Sequence, residues 1–300
     1  MVEDLKKAMM KEFEMSDLSL MKYFLGIQVQ QSKGKIIVFQ EKYTTDLLKR
    51  FNMSNCKPVA TPLAVNEKLQ LDDGSPKADD KTYRSLVGSL LYLTNTRPDI
   101  EYSVSLLSRF MHEPSNLHFS AAKRILRYLQ GTKNLGLKYM KEDDNKLVGF
   151  TDSDWAGSVD DRKSTSGYVF RLGSKVISWS SKKQQTIALS SAEAEYIAAT
   201  DATCEAAWLR RILRDLQQED EAPTTIHCDN KSAIAMTKNP AFHSRSKHIE
   251  IKHHFIRDYV NKREIQLEYV NTNEQLADIF TKAVSTEKFN YFRECLKITN

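Results

Sequence analysis

The sequence is short of the features that mark disulfide-rich, zinc-binding or membrane proteins. Only four cysteines occur in 300 residues, and no two of them form a CxxC pair. Their wide spacing favours neither a disulfide framework nor a zinc site. No apolar run approaches the roughly 20 residues of a membrane-spanning helix, and the N-terminal stretch lacks the apolar core of a signal peptide. We therefore expect a soluble protein of a reducing, intracellular compartment, with no membrane partner.

A strong charge of one sign is also lacking, although basic residues cluster locally. The 44 Lys and Arg exceed the 39 Asp and Glu by only five in a chain long enough for one large domain or two ordinary ones. Between His118 and Lys141 there is no acid, while the basic residues are Lys123, Arg124, Arg127, Lys133, Lys138 and Lys141. This stretch could contact a polyanion. A solvated helix face is the commoner reason for such a charge run taken alone.

Hydrophobic periodicity divides the chain into two halves. A β-hairpin is predicted around residues 32–34, followed by a helix and a proline-containing connector. From Lys81 to Lys141, apolar residues recur at spacings of three and four, which predicts helices. Beyond a polar boundary at 141–146, the predicted order is β-β-β-α-β-α-α-β-α, with a long helix opened by Ser190 and a closing helix from about Asn273.

Acidic residues interrupt apolar patterns in this second half. In GFTDSDW, residues 149–155, Asp152 ends a strand whose other residues on that face are apolar. Asp229 ends the fourth strand of this half, and the carboxyl ends of neighbouring strands are where ligands gather. Asp278 stands near the start of the last helix. These acids come from separate elements, and each opposes the local pattern.

The long helix contributes a further acid. Ser190 and Glu193 form the capping box S-x-x-E, so Glu193 has a structural role. Glu195 has none, and it shares a face with Ala199, Ala202 and other apolar residues that should pack on the sheet. The sequence therefore predicts a carboxylate at the N-terminal end of a buried helix face.

Together these acids indicate a metal centre. Unpaired burial would cost several kcal/mol for each carboxylate, and hard oxygen ligands without a Cys or His cluster favour Mg²⁺ or Mn²⁺ over zinc. Each acid also has a local alternative: Asp229 as a helix N-cap, Asp278 as a first-turn dipole partner, Asp152 as a solvated strand end. Their joint occurrence in this order of elements favours the metal centre.

Longer segments resemble the C-terminal part of copia-type LTR retrotransposon Pol polyproteins. These segments are YFLGIQV, KPVATPL, YRSLVGSLLYLTNTRPDI, FTDSDWAG, RKSTSGYVF, ISWSSKKQQTIALSSAEAEY, HCDNKSAI, KHIEIKHHFIRD and QLADIFTK. The resemblance implies an α/β fold: a ribonuclease H-like mixed five-stranded sheet flanked by helices, preceded by a partial reverse-transcriptase palm hairpin and a helical thumb or connection region.

The same resemblance implies a division into domains. Residues 1–75 would be the C-terminal remnant of the palm with its connector, 76–145 the helical thumb or connection region, 146–284 the ribonuclease H domain and 285–300 a C-terminal tail. The polymerase's Tyr-x-Asp-Asp hairpin would lie upstream of Met1. Polymerisation by this chain alone is therefore not expected.

The implied activity is Mg²⁺-dependent endonucleolytic hydrolysis of the RNA strand of an RNA–DNA hybrid. By position, the family's catalytic and metal-binding acids fall on Asp152, Glu195, Asp229 and Asp278, which would hold two Mg²⁺ ions, with Mn²⁺ as a substitute. The spacing from Asn273 to Asp278 is one residue longer than in retroviral and cellular ribonucleases H. The candidate nucleic-acid contacts are Lys182, Lys183, Lys231, Lys123, Arg124 and Arg127.

A histidine that many ribonucleases H have just before the last Asp is lacking between Ile265 and Ala277. His248, His253 and His254 lie earlier, where a phosphate contact competes with ordinary surface or core roles. The implied partners are an RNA–DNA hybrid and the remainder of the reverse transcriptase and Pol polyprotein. The implied location is intracellular, in a cytoplasmic virus-like particle and the nucleus.

Two alternatives remain open. One is a catalytically inactive nucleic-acid-binding remnant of the polyprotein. The other is a polynucleotidyl transferase of the related integrase fold, which needs the acid order Asp, Asp, Glu. The order here is Asp, Glu, Asp, Asp, which disfavours the transferase.

Overall fold

In the computed structural model, the described part of the chain forms two five-stranded sheets. The structure describes residues 2–16, 20–65, 67–141, 145–218, 220–238 and 255–300. The helices are α1 Val2–Glu12, α2 Glu41–Arg50, α3 Asp80–Leu93, α4 Glu101–Ser108, α5 Asn116–Thr132, α6 Ser191–Asp215, α7 Lys231–Lys238, α8 Phe255–Asn261 and α9 Thr286–Cys295. The strands are β1 Tyr23–Phe24, β2 Ile27–Ser32, β3 Lys35–Phe39, β4 Gly136–Met140, β5 Leu147–Ser153, β6 Thr165–Leu172, β7 Lys175–Lys183, β8 Thr224–Cys228, β9 Ile265–Tyr269 and β10 Ile298–Thr299. Short 3-10 helices occupy Pro98–Ile100 and Leu276–Phe280.

The first sheet has the strand order β1-β2-β3-β4-β10, with antiparallel pairing throughout. The predicted hairpin is confirmed, since Ser32 pairs with Lys35 across a turn in which Gly34 has φ +73. Glycine suits that turn because other residues adopt positive φ only at a cost. Strands β4 and β10 come from distant parts of the sequence, so this sheet joins the N-terminal region to the C-terminus.

The second sheet is mixed and has the order β7-β6-β5-β8-β9. Strands β7, β6 and β5 pair antiparallel, whereas β5, β8 and β9 pair parallel. This is the predicted ribonuclease H-like sheet. Helix α6 covers one face, where Ala199, Ala202 and Ala206 pack in a core with Phe170 and Ile226. These small side chains let the helix approach the strands closely.

The other face of the second sheet packs on the helices of the N-terminal half. Phe150 and Val169 belong to the same apolar core as Leu107 and Leu126. Ser105 Oγ on α4 donates a hydrogen bond of 2.7 Å to the carbonyl of Ser181 on β7. The sheet therefore lies between α6 on one side and α4 and α5 on the other.

Trp179 on β7 belongs to this interface. Its ring is partly buried against the shared core, and Nε1 donates to the carbonyl of Thr94 at 3.2 Å. The Trp179 ring therefore serves in core packing.

Two secondary-structure predictions are wrong, both for tertiary reasons. The helical pattern predicted up to Lys141 stops at Thr132, because β4 pairs with β3 and β10 instead. The closing helix predicted from about Asn273 is the 3-10 helix Leu276–Phe280, separated from α9. Gln275 fixes this short helix, since its amide donates to the carbonyl of Thr151 at 2.9 Å.

The residues predicted to be a C-terminal tail, 285–300, form α9 and β10. Phe289 and Phe292 of α9 are buried in the shared core. The proposed domain limits remain a prediction. Within the described ranges, no helix has both the length and the apolar character needed to cross a membrane.

Candidate metal centre

Three of the predicted acids meet at the end of the second sheet where strands β5 and β8 terminate. Asp152 lies near the end of β5, Asp229 directly follows β8, and Glu195 lies in the second turn of α6. Because β5 and β8 are adjacent and parallel, their carboxyl ends lie side by side. One carboxylate oxygen from each of the three acids lies within 4.8 Å of the others. We call Asp152, Glu195 and Asp229 the acid triad.

Burial makes the triad electrostatically demanding. Asp152 is 1% exposed and Glu195 is 5% exposed. Burial, together with the nearby carboxylates of Asp278 and Asp229, raises the pKa of Asp152 to about 6. Burial and then the charge of Asp152 raise the pKa of Glu195 well above its ordinary value. A cation at the triad would offset both effects.

Hydrogen bonds from neighbouring elements orient the three carboxylates. The backbone N–H of Ser153 donates to Glu195 Oε1 at 3.2 Å. Thr272 Oγ1 donates to Asp229 Oδ2 at 2.8 Å, and Thr281 Oγ1 donates to Asp152 Oδ2. Each carboxylate is therefore held by a donor from another part of the chain.

The structure also decides between local roles for two of these acids. Asn230, not Asp229, caps helix α7: its Oδ1 accepts from the N–H groups of Ser232 and Ala233 at 3.0 and 3.1 Å. Asp152 is buried and is not a solvated strand end. The local explanations for Asp229 and Asp152 therefore do not account for their positions.

Asp278 is placed differently. It is fully buried, and ion pairs join its Oδ1 to Lys282 Nζ at 2.8 Å and its Oδ2 to Lys288 Nζ at 2.6 Å. Lys282 Nζ also lies 3.4 Å from Asp152 Oδ2. Asp278 thus lies beside the triad without belonging to it. Its role as a fourth metal ligand remains a prediction.

Sequence reasoning missed both lysines. Burial disfavours the Lys282 ammonium, but the charges of Asp152 and Asp278 outweigh burial and raise the pKa of Lys282 above its ordinary value. Lys282 follows Asp278 by four residues, the spacing of an ion pair on one helix face. That spacing was the available signal. Lys288 lies on a separate helix, α9, and follows Asp278 by ten residues, a spacing at which no local pattern predicts a contact.

The three lysines predicted to contact phosphates in the second half of the chain lie at separate positions near the same end of the sheet. Lys182 is exposed at the end of β7 and lines a groove of about 680 Å³ beside α6. Lys183 Nζ is 2.8 Å from Asp161 Oδ1. Lys231 Nζ lies 4.7 Å from the ring centroid of Tyr269. Their contacts with nucleic acid remain predictions.

The predicted contacts on α5 have intramolecular partners. Lys123 Nζ lies 4.9 Å from the ring centroid of Phe119. Arg124 Nη2 donates to Thr61 Oγ1 at 3.1 Å, and Arg127 Nε donates to the carbonyl of Lys57 at 2.9 Å. Both arginines therefore attach the proline-containing connector to α5. His248, His253 and His254 lie outside the described residues.

Comparison with known proteins assigns the chain to a family. A family model described as reverse transcriptase (RNA-dependent DNA polymerase) matches residues 1–65. The chain is 44% identical over 289 residues to the retrovirus-related Pol polyprotein from transposon RE1 of Arabidopsis thaliana, covering 96% of this chain and 20% of that protein. It belongs to the copia-type retrotransposon Pol polyprotein family. The Pol polyprotein from transposon TNT 1-94 of Nicotiana tabacum is 41% identical, covering 98% of this chain and 23% of that protein.

This Pol family member therefore spans about a fifth of the length of these curated relatives. Among solved structures, LC11-RNase H1, isolated from compost, aligns with 49% of this chain and 97% of its own, at 16% identity and a TM-score of 0.33. We base the ribonuclease H-like fold on the strand order and pairing of the second sheet.

Proposed function

We propose that the ribonuclease H-like domain of this Pol family member hydrolyses the RNA strand of RNA–DNA hybrids with the help of Mg²⁺. The observation that supports this is the convergence of Asp152, Glu195 and Asp229 within 4.8 Å. The mutual repulsion of three carboxylates opposes folding, so their convergence from separate elements calls for a bound cation. Membership of the Pol family makes nucleic acid the expected substrate.

The triad fits a magnesium ion in the chemistry and spacing of its donors. All three ligands are hard carboxylate oxygens, which Mg²⁺ and Mn²⁺ prefer. Two oxygens sharing one Mg²⁺ lie at most about 4.2 Å apart, since each bond is about 2.1 Å. The three carboxylate oxygens lie within 4.8 Å of one another, so only small side-chain movements would bring them onto one ion. Asp278 remains the proposed fourth ligand, for a second ion.

When bound, the ions would activate water and stabilise the leaving 3′ oxygen, which gives 5′-phosphate products. The chain's own residues would do the positioning. Hydrogen bonds from Ser153 N–H and Thr272 Oγ1 would fix the orientation of the Glu195 and Asp229 carboxylates. The separate contacts to each carboxylate reduce the rearrangement needed when an ion binds.

Substrate binding would use the groove beside α6. Lys182 lines this groove together with Ser180 and Gln185. We propose that Lys182, Lys183 and Lys231 bind backbone phosphates without sequence preference. Recognition of the RNA strand would use its 2′-hydroxyls, which are displayed in the wide minor groove of the hybrid.

Partners and location are proposed on the same basis. The expected partners are the hybrid and the rest of the Pol polyprotein, in a virus-like particle in the cytoplasm and in the nucleus. The alternative function is nucleic-acid binding without turnover. The occupied carboxylate of Asp278 favours that alternative, because both of its oxygens already contact ammonium groups.

The first prediction concerns Asp229→Asn in a hybrid cleavage assay. The wild type is expected to cut a labelled RNA strand in a hybrid only when Mg²⁺ is present. Loss of a partner around a metal costs about 10- to 100-fold in activity even outside the ligand set, so loss of a ligand should cost at least about 100-fold. Product lengths on a denaturing gel measure the rate.

Asp215→Asn is the matched control. Asp215 ends α6, and at about 1.5 Å per residue it lies about 30 Å along that helix from Glu195. It is expected to cleave like the wild type. Equal cleavage by the wild type and Asp229→Asn would indicate a contaminating nuclease and reject the site. Equal cutting of both strands of a DNA duplex would reject the substrate.

A further inference from the structure

The ammonium group of Lys282 lies between two buried acids. Its Nζ is 3.4 Å from Asp152 Oδ2 and 2.8 Å from Asp278 Oδ1. Lys288 contacts the other oxygen of Asp278 at 2.6 Å. Asp152 is therefore shared: it belongs to the acid triad on one side and to the Lys282 contact on the other.

This shared position is where a second ion would have to bind. Lys282 contacts one oxygen of Asp152 and one of Asp278, and Lys288 contacts the other oxygen of Asp278, so a second ion coordinated by both acids would have to displace an ammonium group. An ammonium group offers a single positive charge and three hydrogen-bond donors, but it has no vacant orbital for a water ligand. It can neutralise these acids without providing the chemistry of a metal ion.

Several contacts fix Lys282 at this position. Thr281 beside it donates its hydroxyl to Asp152 Oδ2. The same segment lies against β6 at Gly167, where a Cβ atom would come within 2.8 Å of Thr281 Cγ2. The Lys282 side chain is nevertheless 40% exposed, so ions from solvent can reach it. The lysine is therefore anchored at its backbone and accessible at its charged end.

We propose that Lys282 occupies the second metal position of this chain, so that the protein without nucleic acid binds one divalent ion, at the acid triad. The inference rests on the proposed function only in taking Asp152, Glu195 and Asp229 as metal ligands. It differs from a site of four free carboxylates, which would bind two ions.

The test is the number of Mn²⁺ ions bound by the whole chain, measured by isothermal titration calorimetry. The wild type is expected to bind one ion. Lys282→Met keeps the length of the side chain and removes its charge, which leaves Asp152 Oδ2 and Asp278 Oδ1 without an ammonium contact. This variant is expected to bind two ions.

Lys288→Met is the matched control. It removes an equal charge beside the same acid but leaves the contacts between Lys282, Asp152 and Asp278. It is expected to bind one ion. If both variants bind two ions, the loss of any positive charge beside Asp278 explains the result, and the specific role of Lys282 is rejected. Circular dichroism verifies that each variant is folded, and Lys282→Gln replaces Lys282→Met if the latter does not fold.

Two ions bound to the wild type would by themselves reject the proposal that Lys282 occupies the second metal position. One ion on Lys282→Met would reject it as well. Hybrid cleavage by the same preparations tests the proposed function separately. A wild type that binds one ion and does not cut hybrids would support the Lys282 assignment and reject the nuclease. A wild type that binds no Mn²⁺ would reject both.

Discussion

At the scale of single residues, burial changes the chemistry of acids around the site. Asp154 follows the triad member Asp152 by two residues and is half-buried. Burial raises its pKa from 3.8 to about 6, although the backbone N–H of Thr165 donates to its carboxylate. Arg109 lines the same pocket of about 370 Å³, and its charge lowers the Asp154 pKa only in part. Compared with the unfolded chain, the folded protein therefore favours the neutral form of this acid up to about pH 6.

The second prediction is that Asp154 makes the metal-free protein less stable as pH rises from about 4 to about 6. In this range the folded state keeps a proton that the unfolded state has lost, so the free energy of unfolding falls. Asp154→Asn should remove this part of the slope. The gain over the wild type should grow from near zero at pH 4 to at most about 3 kcal/mol at pH 7.

Urea denaturation at four pH values, in the presence of a chelator, measures this difference. A gain that stays constant across these pH values would show that Asp154 is ionised in the folded state over the whole range. Asp161, whose pKa is lowered to about 2 despite some burial, by bonds from Lys183 and Ser158, is present in both proteins, so its contribution cancels in the difference between them. It does not interfere with the test.

At the scale of elements, the segment around the 3-10 helix Leu276–Phe280 depends on close contact with β6. Gly167 lies opposite Asp152 in the sheet register. A Cβ atom at Gly167 would lie 2.7 Å from Phe280 Cβ, which is too close for an ordinary contact. Glycine at this position therefore lets Thr281 and Lys282 approach Asp152.

The third prediction is that Gly167→Ala destabilises the protein by about 1 to 3 kcal/mol through overpacking. The displaced segment should also lower hybrid cleavage, because Thr281 would no longer reach Asp152. Thermal unfolding and the cleavage assay measure the two effects.

Gly88→Ala serves as the matched control. Gly88 lies in α3, is exposed, and has nothing within 4 Å of its added Cβ. Alanine there should stabilise the helix by about 0.5 to 1 kcal/mol and leave cleavage unchanged. If Gly167→Ala behaves like Gly88→Ala, the close approach has no importance for the site.

At the scale of the whole molecule, the two sheets depend on each other. Phe150 and Val169 of the second sheet share a core with α4 and α5 and with Phe292 of α9. Strand β10 then pairs with β4 and closes the first sheet. The N-terminal half, the ribonuclease H-like sheet and the C-terminal residues therefore form a continuous apolar core.

The fourth prediction is that residues 146–284 alone do not form a stable domain. One face of their sheet would expose the apolar side chains that α4 and α5 cover in the whole chain, so we expect aggregation or strong binding of a hydrophobic dye. The whole chain should unfold in a single transition by calorimetry.

Removal of residues 1–16 is the control truncation, because Leu5 and Phe13 of this segment are exposed. It should leave the transition nearly unchanged. A soluble fragment 146–284 with the thermal stability of the whole chain would contradict the shared core. It would also support the predicted domain limits.

Local sequence alone determined much of the fold and of the triad. Ser190 was expected to open α6, and its hydroxyl does accept the N–H of Glu193 at 3.2 Å. Glu195 was recognised because the cap left it without a local role on a buried face. Asp152 and Asp229 were recognised because they end apolar strands. These features depend on periodicity and capping, which act between residues close in sequence.

The tertiary structure alone decided the surroundings of the triad. The contact of Lys282 with Asp152, the ion pair of Asp278 with Lys288, and the anchoring of the connector by Arg124 and Arg127 join residues that only the folded chain brings together. The same holds for β10, a two-residue strand with no pattern of its own. Periodicity identifies which side of an element is buried, but it carries no information about which distant element covers it.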